Sequence, residues 1–330
     1  MMRHAHCKEV ATCPWWLANI RTTKFIIYGG VMNAVIDFSK RSVSDFKEIS
    51  TRFDHEFGVM WSIMQPEPRP CFSMTCLGDL LQQHTHLQKS QGQVVVGGTI
   101  QQVNYLVLAS SVDGVFNLGG DLLTFKELIL SQDRDKLLAY AGLCIENLWT
   151  FYSMRAPITT IALVQGQAMG GGFESALSAH MIIAEKSAAM GLPEVLFNLF
   201  PGMGALSFLS RKVGMPLAEK MVHSGKIYTG EELYKMGVVD ILAEDGQGEY
   251  TLNHWIKKNH RSLNSFQAIN RAKQCVNPLT AAELYNITEI WVDAALRLDE
   301  RNLKIMERLV RAQNAKVSAD VSLISERKSA

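Results

Sequence analysis

The chain has 330 residues, 47% of them hydrophobic, with 33 Lys and Arg against 32 Asp and Glu, a formal net charge of +1. That content is enough to bury a sizeable core in one large domain or two, and so even a charge balance gives no footprint for nucleic acid or an anionic membrane surface. The six cysteines, at 7, 13, 71, 76, 144 and 275, lack both CxxC pairing and the density of a disulfide scaffold, so no metal site is expected and they read as reduced thiols of a cytoplasmic protein.

Residues 1–31 differ in character from the rest of the chain. Arg21 and Lys24 interrupt the apolar run a signal peptide would need. His4, His6 and Cys7 cluster near a terminus and read as tail rather than as ligands. This segment is expected to be a disordered N-terminal extension, with ordinary sequence beginning at Met32. From there to Lys89, polar stretches of helical character alternate with the apolar run Val59–Met64, after which Pro66, Pro68 and Pro70 break regular structure.

Residues 94–96 and 105–109 read as strands. The second leads into SSVDGVFNLGGDLLTF, where a Gly-Gly turn opens a helix and Asp121 stands ready to cap it. Gly119 and Gly120 offer free amides there. Residues 121–155 read as one or two helices, with Leu137, Ala141, Cys144, Ile145, Leu148 and Tyr152 at helical spacing.

The next stretch carries the chemistry. Residues 158–164 form a β-branched apolar run that empties into a glycine-rich turn at 166–172, and that turn opens a helix bearing Glu174. Amides at a helix start lack intrahelical partners and favour negative charge. Glu194 follows twenty residues later in GLPEVLFNLFPG, behind Pro193 and beside Val195, Leu196 and Phe197. Taken singly these are two ordinary turns and two ordinary acids. Together they make an amide cradle with two carboxylates, suited to stabilising an enolate.

Strands at 181–184 and 238–242 flank a helical stretch at 216–236, so the class is α/β. Beyond Gly248 the strands stop, and residues 256–276 and 280–317 read as helices, with Trp291 on an apolar face. Arg297, Arg301, Lys304, Arg308 and Arg311 form a basic stripe, the usual mark of a solvated face. No internal repeat and no bilayer-spanning run is present. VQGQAMGGG contains no GxGxxG, and GxSxG, GxxxxGK[ST] and HExxH are absent, which removes dinucleotide, serine-hydrolase, P-loop and zincin readings.

VFNLGGD, ALVQGQAMGGGFESALSAHMIIAE and GLPEVLFNLFPGMGA, in this order between about residues 103 and 242, resemble the signature regions of the crotonase (enoyl-CoA hydratase) superfamily. More narrowly, LPEVLFNLFPGMGA with ITEIWVD and RLVRAQ is similar to the diffusible signal factor synthases of Gram-negative bacteria, over about residues 32–313. The resemblance implies a crotonase-like spiral of ββα units, with a catalytic core at 32–247, a C-terminal helical region at 248–330, and assembly as a homotrimer or dimer of trimers. It implies that Glu174 and Glu194 are catalytic and that Gly171 and Gly120 supply an oxyanion hole, with Gly119 an alternative; LGGD stands where many hydratases have AGAD. Which glutamate is acid and which is base is left open.

The implied activity is dehydration of 3-hydroxyacyl-acyl carrier protein followed by thioester hydrolysis, freeing a cis-2-unsaturated fatty-acid quorum-sensing signal. No cofactor is implied beyond the acyl carrier protein or CoA that carries the substrate. Met169 and Trp291 are candidates for the acyl pocket from their position and apolarity, although Trp291 is as readily a core residue. Acyl carrier protein and a regulatory sensor protein are the expected partners. The alternatives are a conventional enoyl-CoA hydratase and a crotonase-like protein that acts mainly by binding a regulator.

Overall fold

The computed structural model describes residues 46–154 and 157–311; the extension read at 1–31 lies outside them. Among the described residues, twelve strands form two main sheets and a hairpin. The larger sheet contains β1 (Ile49–Asp54), β2 (Val59–Met64), β5 (Tyr105–Ser110), β7 (Thr159–Val164), β9 (Met181–Glu185) and β12 (Ile241–Ala243), in that order. The smaller has the order β11 (Ile227–Thr229), β10 (Ala189–Gly191), β8 (Gln167–Met169) and β6 (Val115–Asn117). β3 (Gln93–Val96) and β4 (Thr99–Gln102) pair only with each other.

β5, β7 and β9 are parallel, buried on both faces and correspondingly apolar except at their ends. Alternate side chains divide between two clusters. Leu106, Leu108, Ala162, Val164, Ile182 and Ala184 join the main core, while Tyr105, Val107, Ile161, Leu163 and Ile183 pack with Leu252 and Ile256 of α8 (Gly248–Asn259).

The chain repeats one pattern along the sheets. A long strand of the large sheet is followed by a three-residue strand of the small one and then by a helical segment. β5 and β6 lead to α2 (Leu122–Leu130) and α3 (Arg134–Tyr152); β7 and β8 lead to α4 (Gly171–Leu177); β9 and β10 lead to a 3-10 turn (Pro193–Phe197), α5 (Ala205–Val213) and α6 (Met215–Ser224). α1 (Met74–Lys89) packs beside α3. Because β6, β8 and β10 are parallel neighbours, their C-terminal ends place Gly119–Gly120, Gly170–Gly171 and Glu194 side by side.

Several sequence expectations are corrected. β1 is a strand in a stretch read as polar and helical, because an edge strand with one buried face keeps its polar residues on the other. β8 lies inside the glycine run read wholly as turn. The helical stretch at 216–236 is divided by β11 into α6 and α7 (Gly230–Lys235), where Thr229 and Glu232 form a capping box. The last strand begins at Ile241 rather than Val238. Residues 280–317 are not one helix: α10 (Ala281–Ala295) ends before helix 300–311, so Arg297 falls in the break and is not on the stripe's helix. Asp121 caps α2 as expected, its carboxylate accepting from Leu123 N at 3.2 Å. α9 (Leu263–Val276) follows α8, and among the described residues no helix is long and apolar enough to cross a membrane.

Candidate active site

Gly119 and Gly120 follow β6. Gly119 holds φ +94°, and a Cβ there would lie 2.7 Å from Met169 O; only glycine fits this approach of two strand ends. Its own N–H donates to Asn117 Oδ1 at 2.8 Å, so it is not available to a ligand. The Gly120 and Gly171 N–H groups have no acceptor among the described residues. They also lie close together, since a Cβ on Gly171 would be 3.4 Å from Gly120 N. Gly120 and Gly171 therefore form the cradle, and Gly119 serves as its hinge.

α4 starts at the second of these amides. Gly170 precedes it with φ +50°, and a Cβ there would fall 2.3 Å from Glu194 Oε1. The carboxyl of Glu194 thus rests on the backbone leading into the Gly171 amide.

The two carboxyls have unlike surroundings. Glu174 is 1% exposed, and its Oε1 accepts from Met203 N at 2.8 Å and Ala205 N at 3.0 Å. Burial raises its pKa, and the two N–H donors pull it back down. Glu194 has less compensation, only its own backbone N–H, and its Oε2 is buried without a hydrogen-bond partner. Burial raises its pKa first and the neighbouring Glu174 charge raises it further. One proton shared by the pair is better held on Glu194, with Glu174 as the anion.

Both carboxyls and both free amides line one narrow cavity of about 80 Å³. Its walls are largely apolar, and Met169 and Trp291 are among them. Trp291 is also core: it is 3% exposed, its ring lies 5.1 Å from that of Phe125, and a Cβ on Gly202 would meet it at 2.2 Å. The packing role and the pocket role coincide in one side chain. Met306 and Leu309 of helix 300–311 close part of the wall. On the exposed side of that helix Lys304 pairs with Glu300 at 3.4 Å and Arg311 with Glu307 at 3.7 Å, so the basic stripe is interleaved with acids.

His84 and Asn147 also line the cavity and have no counterpart in the sequence reading. QQHTH in α1 looks like a solvated face, and nothing local marks one histidine as buried. Cys71, Cys76 and Cys144 are buried free thiols and Cys275 is an exposed one. Among the described residues no group of three or more His, Cys, Asp or Glu is placed to hold a metal ion.

The family model for enoyl-CoA hydratase/isomerase matches residues 63–316. The chain belongs to this family. It is similar to the enoyl-CoA isomerase/hydratase claC of Penicillium crustosum, 38% identical over 154 residues that cover 46% of this chain and 16% of that protein. It is 28% identical over 217 residues to enoyl-CoA hydratase domain-containing protein 2, mitochondrial, of Bos taurus, covering 65% of this chain and 66% of that one. The chain thus spans less than two thirds of either relative's length.

Among solved structures it resembles human mitochondrial delta3-delta2-enoyl-CoA isomerase, with a TM-score of 0.66 at 16% identity over 82% of this chain and 99% of that one. Pseudomonas aeruginosa DspI aligns with a TM-score of 0.60 at 22% identity over 83% and 99%. These likenesses place the chain in the crotonase fold, with its C-terminal helices.

Proposed function

We propose that this hydratase/isomerase-family chain is a diffusible signal factor synthase. It dehydrates a 3-hydroxyacyl thioester and then hydrolyses the thioester to release a cis-2-unsaturated fatty acid. The observation that carries the chemistry is the pair of unlike carboxyls, Glu174 and Glu194, facing one cavity beside the free N–H groups of Gly120 and Gly171. The narrower substrate reading is supported by the sequence resemblance around LPEVLFNLFPGMGA.

In this reading the thioester oxygen accepts from Gly120 and Gly171. Removing a proton from C2 moves charge onto that oxygen, where two fixed donors already point. When the pair holds one proton, Glu194 carries it and Glu174 is the anion, the state that suits addition of water to an enoyl thioester. Glu174 takes a proton from the water while Glu194 delivers one to C2. Dehydration is the same path reversed: Glu194 takes the C2 proton, Glu174 protonates the departing hydroxyl, C3–O breaks and C2=C3 forms. In hydrolysis a water attacks the thioester carbon, the tetrahedral oxyanion occupies the same cradle, and the C–S bond breaks as the thiol takes the proton. Acyl carrier protein is the proposed carrier and a homotrimer the proposed assembly.

A conventional enoyl-CoA hydratase is the second reading, favoured by the hydratase names of the relatives; it would leave the thioester intact. The test is mass spectrometry of products after the purified chain meets 3-hydroxydodecanoyl-acyl carrier protein, with Glu174→Ala and Glu194→Ala as controls. Free 2-unsaturated acid that both substitutions abolish is the expected result. An enoyl thioester without free acid assigns the hydratase instead, and cellular function that survives both substitutions assigns a binding role.

A further inference from the structure

Away from the glutamates the cavity wall carries Ser175 and Ser178, whose hydroxyls donate to Gly172 O and Ser175 O, and two further polar side chains, each of which presents an acceptor with nothing to accept from. α1 and α3 lie side by side there. Asn147 Nδ2 donates to Leu77 O and Leu143 O, each at 3.0 Å, which uses both of its protons and leaves Oδ1 buried and unpartnered. Two turns further along α1, about 10 Å at 1.5 Å per residue, His84 stacks on Phe151 at 5.1 Å between centroids. Its outer neighbours favour one tautomer. Ser62 Oγ donates to Gln83 Oε1 at 2.6 Å and lies 3.4 Å from His84 Nε2. With its proton given to Gln83, Ser62 accepts from Nε2–H, and Nδ1 is left as a bare lone pair. That nitrogen has no partner either.

Both side chains are part of the built wall, His84 being 2% and Asn147 7% exposed, and both line the cavity that holds Glu174 and Glu194. A buried acceptor without a donor is unfavourable and uncommon. Two of them on one wall imply a donor that arrives with the occupant. The donor is a neutral group. Burial holds His84 uncharged, its pKa pushed down to about 3, so an anionic chain end finds no cation there.

We propose that the acyl group this cavity selects carries a hydroxyl remote from the carboxyl end, and that His84 Nδ1 is the acceptor that recognises it. This deepens the thioester reading and rests on it for the direction in which the chain enters. Recognition of the hydroxyl itself requires no turnover.

The test is calorimetric titration of the full chain with three free acids: decanoic acid, (ω−1)-hydroxydecanoic acid and ω-hydroxydecanoic acid. One of the hydroxylated acids is expected to bind about tenfold or more tightly than decanoic acid, the factor that pairing a buried acceptor supplies. His84→Leu is expected to erase that preference while still binding decanoic acid, which also shows that it folds, and His84→Gln, which restores an acceptor, to recover part of it. Equal affinity for all three acids, or a preference unchanged in His84→Leu, overturns the proposal and leaves the two acceptors to a buried water. Absence of turnover on 3-hydroxydodecanoyl-acyl carrier protein together with an intact hydroxyl preference would overturn the thioester reading alone.

Discussion

Replacing Glu194 by Gln should remove activity and at the same time stabilise the protein, but only at high pH. The Glu194 carboxyl is pushed above the ordinary carboxylate range by burial and by the Glu174 charge, and its Oε2 has no hydrogen-bond partner. A raised folded-state pKa favours the protonated form. Its contribution to stability is therefore complete below the unfolded value of about 4.3 and is lost as pH rises through the folded value. Each pKa unit corresponds to ~1.4 kcal/mol. With the Glu194 carboxyl pushed up to about 8, the wild type gives up on the order of a few kcal/mol between pH 5 and pH 9 that a non-titrating Gln retains. For a domain of this size that corresponds to a Tm increase on the order of 5 °C at pH 9, shrinking toward zero at pH 5. The assay is thermal unfolding of wild type and Glu194→Gln across that range, beside kcat for the 3-hydroxyacyl thioester, which should fall at least about 100-fold through loss of the proton carrier. A gain of equal size at pH 5 and pH 9, or a variant less stable than wild type at pH 9, would refute the electrostatic account of the pair.

Gly171→Ala meets nothing closer than 3.4 Å, so it should fold nearly as well as wild type while its methyl holds the thioester oxygen away from the retained N–H; kcat should drop by up to about 100-fold, comparable to the loss of one oxyanion donor, with little change in Tm. Gly172→Ala is the contrasting control: its Cβ would lie 2.0 Å from Asn117 O, and loss of soluble folded protein, measured by circular dichroism, is expected before any kinetic effect. Trp291→Ala should cost about 3–5 kcal/mol in chemical denaturation and shift product chain length upward by mass spectrometry; an unchanged product profile would leave Trp291 as core alone. The rate–pH profile for kcat should be bell-shaped, because one carboxyl must be neutral and the other ionised, and Glu174→Gln should abolish turnover on both limbs rather than shift one.

The meeting of the two glycine turns was legible because close main-chain approach leaves a local trace. Glycines at 119–120 and 170–172 recur wherever main chain must approach main chain, and each run is followed at once by a helix start. The choice between Gly119 and Gly120 was not legible, since it turns on the Asn117 side chain reaching forward two residues to take the Gly119 N–H. The small sheet was invisible for a different reason. β6, β8, β10 and β11 have three residues each, too few for an alternating pattern, and they are strands only because their neighbours supply the hydrogen bonds.

That invisible sheet is what converts two separate acids into one site. Glu174 and Glu194 are twenty residues apart in the chain, and no helical or strand periodicity relates them. β8 and β10 pair in parallel, Gly191 opposite Met169, and the Gly170 N–H donates to Gly191 O at 2.9 Å. The 3-10 turn bearing Glu194 therefore leaves the sheet beside the turn that opens α4. From there glycine at 170 is obligatory, because any Cβ would occupy the position of Glu194 Oε1. The triple glycine is thus divided in its duties: Gly170 makes room for an acid, Gly171 presents an amide, and Gly172 lets α4 close onto β6. His84 and Asn147 are the reverse case. Their residue types are ordinary in a polar helix, and only the packing of α1 against α3 strips them of solvent and leaves two lone pairs without partners.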